Sequence, residues 1–549
     1  MNANDSEAAL RDAAHRLDQQ WMAQAARFTS GLSPVALGLA FADWWLNLAM
    51  QPAQAWRLAQ RAPRDALAAV GAALAGGTPD GDARFAAADW QRWPWSLLAQ
   101  GQHAAEAWWK DATATAGMTP HHREMTAFFA RQWLDALAPS NQPLTNPEVL
   151  RRAWEPAAPK ADEPRPYRPG HEVAVTPGRV VHRNALVELI QYAPTTPTVQ
   201  REPVLVVPSW IMKYYILDLS PHNSFVRWLV AQGHTVFMIS WRNPDESDAL
   251  LSMEDYLDLG VLDALDAIAR LVPGERVQAC GYCLGGTLLA LAAAALARDG
   301  HDRLAGVTLL AAETDFSEPG ELGILVDEAQ VELLEAMMAA RGFLTGRQMA
   351  GSFTFLHARE LLWAERLRTR WLHQPSHPND LMAWNADVTR MPAVMHSEYL
   401  RLCYLCNQIA EARFPVHGRP VSLADITAPM FAVGTETDNV SPWRSVHKLH
   451  RLCQAEITFV LTSGGHNAGI VSEPGHANRR YAIGVREHDG PEPSPDAWQA
   501  AAERREGSWW PAWHDWLVAR SAGRAKARVP ADAGLGDAPG RNVLVRYDD

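Results

Sequence analysis

Cysteine is scarce in this chain, five among 549 residues and an odd count, which argues against a disulfide framework and fits a reducing compartment. Long apolar runs are missing as well. The longest, 288–297, is too short to span a bilayer and reads as a buried helix. The first seven residues, Met1-Asn-Ala-Asn-Asp-Ser-Glu7, hold neither a basic stretch nor an apolar one, so no secretory signal is evident and a cytoplasmic location is expected. Basic residues number 50 against 62 acidic ones, a net charge of −12, which disfavours a nucleic-acid partner. There is no internal repeat, and no cofactor or metal is expected. What the chain does have is 48% hydrophobic residues, enough for a large core, and a length that suggests three or four units.

Residues 1–155 read as a helical N-terminal domain rich in alanine and tryptophan, with Trp44, Trp45, Trp56, Trp90, Trp93, Trp95, Trp108, Trp109 and Trp133. Most of these fit the core of a helical bundle. Exposed ones suit an apolar–water boundary, such as a partner surface. A proline-rich linker follows at 156–170. From there strands (179–193, 204–208, 235–241, 277–282, 304–313, 430–434, 457–462) alternate with helices (221–232, 254–271, 284–299, 442–453). The pattern predicts an α/β fold, a mostly parallel sheet with helices on both faces, its core running over 171–316 and 426–520. The interruption at 317–425 is mainly helical and carries Phe353, Phe355, Trp363, Trp371 and Trp384. It reads as a cap over the site. The cluster 507–516 reads as a terminal helix docked on the core rather than a binding stripe, and 521–549 as a flexible tail.

The most informative stretch is Gly281-Tyr282-Cys283-Leu284-Gly285-Gly286, between the apolar run 277–280 and the helical pattern 287–297. Strand, sharp turn and helix make the setting of a nucleophile elbow, with cysteine at the tip. The glycines fit, because a Cβ beside the nucleophile would collide with the adjacent strand and helix. A thiol there faces the positive end of the helix, which favours the thiolate. Two other readings apply to the same residues. Cys283 could be simple tight packing, and Cys280 with Cys283 forms a C-x-x-C of redox type. The redox reading suits a small independent domain rather than a motif in the middle of a long α/β pattern.

An acid and a histidine should follow in that order. The buried strand 429–434 runs into Asp438, and the strand 457–462 leads to His466 inside Gly464-Gly465-His466-Asn467-Ala468-Gly469. One histidine among 20 means little by itself; Cys283, Asp438 and His466, in order and each leaving a strand, mean more. The oxyanion hole should combine the Leu284 amide with one from the loop after 204–208, where Ser209, Trp210 and Ile211 are candidates and Ile211 is preferred. Ser209 lacks an elbow and reads as an ordinary loop serine.

The segments 206–219, 223–230, 232–241 and 243–245, with Ser140-Asn141, 145–148 and Gly507-Ser-Trp-Trp-Pro511, resemble signatures of the polyhydroxyalkanoate (poly-3-hydroxybutyrate) synthase family, single-polypeptide type. The similarity extends from about 80 to about 520. It implies an α/β-hydrolase fold and transfer of acyl groups from a (3R)-hydroxyacyl-CoA to a growing polyester. Cys283 is then the nucleophile, His466 its base, and Asp438 either the orienting group or an aid to deprotonating the incoming hydroxyl. The resemblance further implies a homodimer associated with polyester granules, and 3-hydroxybutyryl-CoA is the default monomer by analogy. Asn439 stands where relatives carry histidine, and Met212 where many carry asparagine. The linker is shorter than in many relatives. The competing classes are a hydrolase of the same fold, such as an intracellular polyester depolymerase or a thioesterase, and an inactive granule-associated scaffold.

Overall fold

The structure is a computed structural model that describes residues 3–29, 31–76, 81–152, 167–349, 351, 363, 367–372 and 379–546. Two compact units divide the chain: 1–24 with 166–350 and 379–549, and 25–165 with 351–378. Most of the proline-rich segment 156–170, together with Phe353 and Phe355, lies outside the described residues.

The larger unit is built on a ten-stranded sheet. Its strands are β1 (Gly178–Arg183), β2 (Val187–Tyr192), β3 (Val204–Val207), β4 (Val236–Trp241), β5 (Val277–Tyr282), β6 (Leu304–Leu310), β7 (Met430–Thr435), β8 (Ile457–Thr462), β9 (Arg480–Arg486) and β10 (Glu503–Glu506). The order across the sheet is β1-β2-β4-β3-β5-β6-β7-β8-β9-β10. The six strands from β4 to β8 are parallel, and antiparallel pairs flank them on both sides. Every residue of β3 to β8 is buried. That explains why these segments read as apolar runs instead of alternating, since a parallel sheet is covered on both faces.

Three expectations need correction. The single strand at 179–193 is two, because Asn184 turns the chain. Its side-chain oxygen accepts from the amides of Leu186 and Val187, both at 2.8 Å, a local bond that the surrounding apolar residues conceal. The strand predicted at 304–313 stops at Leu310. The tail is not loose either. Arg524–Lys526 pairs antiparallel with Thr198–Gln200. Ala538 N–H donates to Gly178 O at 2.9 Å, and Glu188, buried in β2, accepts from the amides of Arg541 and Asn542, both at 3.0 Å. Lys213 Nζ donates to Val545 O at 2.7 Å. The tail composition carries no periodic signal, but a buried carboxylate and a buried ammonium need partners, and the tail backbone supplies them.

The aromatic cluster docks on the core. Trp509, Trp510 and Trp513 are fully buried; their indole N–H groups donate to Gly469 O (3.0 Å), Ile470 O (2.9 Å) and Thr308 Oγ1 (2.9 Å). Two of these three bonds hold the stretch just after His466.

In the smaller unit, helices Pro34–Ala49, Pro52–Leu74, Trp95–Thr113 and Pro120–Leu137 pack on one another. Ser33 and Thr119 cap two of them by accepting from Ala36 N–H and His122 N–H, and proline in the first turn of each costs no intrahelical bond. Trp44 and Trp90 are core residues, whereas Trp45, Trp56, Trp93 and Trp133 are exposed.

Candidate active site

Cys283 stands between β5 and the helix Leu284–Arg298 with φ 52° and ψ −126°, a left-handed strained backbone for a residue with a Cβ. Its N–H donates to Leu310 O at 2.9 Å, and its carbonyl accepts from Gly286 and Thr287, so the tight turn is tied to β6 and to the helix. A Cβ on Gly285 would lie 2.2 Å from Val207 O and 2.4 Å from Pro208 O, and one on Gly281 would lie 2.4 Å from Gly286 Cα. These are backbone atoms of the β3 end and of the helix itself, and cannot retreat cheaply. Gly285→Ala is therefore expected to cost roughly 3 kcal/mol, measured as a lower thermal midpoint together with loss of soluble yield.

Asp438 lies just beyond β7 and is buried. One carboxylate oxygen accepts from the amides of Val440 (2.9 Å) and Ser441 (2.8 Å); the other accepts from Thr435 Oγ1 (3.1 Å) and His466 Nδ1 (2.8 Å). Burial opposes its charge, yet His466 and these donors hold its pKa below the usual carboxylate range. Burial likewise opposes charge on His466, but the Asp438 carboxylate and the Cys283 thiol outweigh it and push the imidazole well above its ordinary value. Nδ1 is committed to Asp438, which leaves Nε2 as the ring nitrogen not used in that bond. Asp438 and His466, far apart in sequence, are thus brought into one hydrogen-bonded pair, and that pairing is what a histidine base held by an acid requires.

Cys280 is fully buried in β5, forms no disulfide with Cys283, and burial pushes its thiol up. That removes the basis for a C-x-x-C redox pair. Leu284 is the first residue of the helix, so its amide has no intrahelical partner. Ile211 lies on the loop after β3, whose carbonyls at 207 and 208 press on Gly285. The loop is roofed by the segment before β7: Thr389 N–H donates to Ile211 O (3.0 Å), and Trp384 Nε1 donates to Lys213 O (2.7 Å).

Sequence reasoning missed several neighbours of the site. Tyr282 OH donates to Asn467 Oδ1 at 2.6 Å, which joins the residue before Cys283 to the residue after His466. Tyr399 and Tyr404, from the helical segment Tyr399–Leu405, pack against Phe316 with centroids 6.2 and 5.0 Å away. Burial pushes both phenols well above their ordinary range, and Cys283 adds to the effect. Only the adjacency of Tyr282 and Asn467 to the two motifs could have flagged them.

Among family models, the one described as the poly-beta-hydroxybutyrate polymerase (PhaC) N-terminus matches 81–160 and 157–229, and a polymerase N-terminal model matches 12–54. The alpha/beta hydrolase fold matches 202–473. A poly(3-hydroxyalkanoate) polymerase of Methylorubrum extorquens is 38% identical over 495 residues, 85% of this chain and 81% of its own. This chain belongs to the poly(3-hydroxyalkanoate) polymerase family. The polymerase subunit of Rhizobium meliloti (strain 1021) is 37% identical over 85% of this chain and 80% of its own. That of Cupriavidus necator is 36% identical, covering 77% and 76%. The alpha/beta hydrolase model spans β3 to β8, and the polymerase N-terminal models span parts of the helical unit and run on through β1 to β3.

Proposed function

We propose that the protein polymerises (3R)-hydroxyacyl-CoA, with 3-hydroxybutyryl-CoA as the expected monomer, and releases CoA through a Cys283 acyl-enzyme. The observations that support this reading are a strained elbow cysteine and a hydrogen-bonded His466–Asp438 pair in a chain of this family, and Cys283 is proposed as the partner of His466 Nε2. His466 Nε2 takes the thiol proton, Sγ attacks the thioester carbon, and the proton returns to the departing CoA sulfur. Thioester exchange is nearly thermoneutral, which suits cysteine better than serine. The next monomer's hydroxyl then attacks the acyl-thioester while His466 accepts its proton, and Asp438 holds the imidazole and stabilises its cation. The amides of Leu284 and Ile211 are the proposed oxyanion donors.

The helical insertion between β6 and β7 serves as the cap. By excluding water it favours transfer to an alcohol over hydrolysis. The active form is proposed to be a homodimer on the granule surface, with exposed Trp45, Trp56, Trp93 and Trp133 suited to an apolar boundary. The test is CoA release from (R)-3-hydroxybutyryl-CoA, with methanolysis of the insoluble product. Release together with polymer is the expected result. Release of free 3-hydroxybutyrate alone means a hydrolase, and no release with any chain length means a scaffold.

A further inference from the structure

Glu313 has no part in the steps above, yet it sits against the elbow. The chain leaves β6 at Leu310, whose carbonyl binds Cys283 N–H at 2.9 Å. Two residues on, a Cβ added to Gly286 would lie 2.5 Å from Ala312 Cβ, and Glu313 O accepts from Thr287 Oγ1 at 2.8 Å. The backbone of Glu313 is thereby clamped to the first turn of the nucleophile helix. The residue is 4% exposed, and Oε1 is buried with no hydrogen-bond partner among the described residues. The carboxyl is close enough to Asp438, Cys283 and His466 for their charges to act on it, and to act in turn on Tyr404.

A buried carboxyl oxygen without a partner is costly, and native sites usually pair such a group with a ligand or water. Tyr399 OH donates to Tyr404 OH at 3.4 Å, and neither hydroxyl is bonded to Glu313 Oε1. The walls they form with Phe316 are aromatic, with Tyr399 and Tyr404 centroids 5.4 Å apart. A hydroxyacyl group bound at Cys283 would carry one free polar group beyond its carbonyl, the hydroxyl on its third carbon. Burial, and then Asp438 and Cys283, push the Glu313 carboxyl well above its ordinary range, which favours the protonated form, and a protonated carboxyl can both donate to a hydroxyl and accept from one.

We infer that Glu313 receives the 3-hydroxyl of the acyl group at Cys283 and makes the enzyme select hydroxyacyl over plain acyl thioesters. This rests on the acyl-enzyme reading. It makes Glu313 a specificity residue that binds substrate and takes no part in the proton relay.

The experiment compares (R)-3-hydroxybutyryl-CoA with butyryl-CoA. The rate of Cys283 acylation is followed by intact mass in wild type, Glu313→Gln and Glu313→Leu, with folding checked by thermal midpoint. Wild type should prefer the hydroxyacyl thioester. Glu313→Gln, whose amide can still donate and accept, should keep most of that preference. Glu313→Leu should reduce it about 10- to 100-fold, mainly by slowing the hydroxyacyl substrate. A preference unchanged in Glu313→Leu would overturn the assignment while leaving the acyl-enzyme reading intact. Absence of any adduct on wild-type Cys283 with either thioester would overturn both.

Discussion

Purified protein carrying Cys283→Ala is expected to release no CoA from (R)-3-hydroxybutyryl-CoA above the buffer rate and to form no polymer, a loss of at least about 10⁴-fold. The elbow should survive the change. Alanine keeps the Cβ, and what fixes the turn is backbone: Cys283 N–H on Leu310 O and the Cys283 carbonyl on Gly286 and Thr287. The melting temperature should therefore stay close to wild type, which separates lost chemistry from lost fold. Cys283→Ser is the informative companion. A hydroxyl at the same place is a poorer nucleophile toward a thioester, and the ester it forms is harder for the next hydroxyl to displace. Low CoA release, with acyl adduct accumulating on the introduced serine in the intact mass, is the expected pattern. Normal CoA release in Cys283→Ala would remove Cys283 from the mechanism.

Asp438→Asn should lower the rate of CoA release on the order of 10³- to 10⁴-fold, as loss of the orienting acid does in other triads. The carboxylate accepts from His466 Nδ1 at 2.8 Å and from the amides of Val440 and Ser441; an asparagine oxygen can replace part of that geometry but not the charge. The pH profile gives the sharper readout. The His466 imidazole is raised against the opposing effect of burial, first by Asp438 and then by Cys283. Removing the carboxylate lets burial dominate, so the limb of the profile set by loss of the imidazolium should move to lower pH in Asp438→Asn. The same pair bears on stability. His466, raised in the folded state, contributes stability that is fully present below its unfolded pKa and is lost as pH rises through the folded value. Asp438, lowered when folded, contributes stability present above its unfolded pKa and lost as pH falls through the folded one. The difference in melting temperature between wild type and Asp438→Asn should thus be largest between these limits and shrink at both ends.

The strand, sharp turn and helix around Cys283 were legible in the sequence because their constraints are local. A cysteine held at φ 52° between a strand and a helix needs small neighbours, and glycine at 281, 285 and 286 advertises that requirement within six residues. The buried parallel strands were legible for a similar reason: both faces are covered, so β3 to β8 read as unbroken apolar runs. Residues placed just past such runs, Asp438 and His466 among them, stand at the end of the sheet where loops converge.

What the tertiary structure decided are the matters that depend on residues far apart in the chain. The Asn184 turn rests on a side-chain bond to two backbone amides, which an apolar composition hides. The tail is fixed because Glu188 and Lys213 are buried and find partners more than 300 positions away, and no periodicity in 521–549 could announce that. The tryptophans at 509, 510 and 513 hold the histidine loop and β6 through bonds that only docking creates. Glu313 resembles any other glutamate in the sequence. Its significance comes from losing water and finding no partner, which depends on the neighbours that sheet order and the cap bring around it.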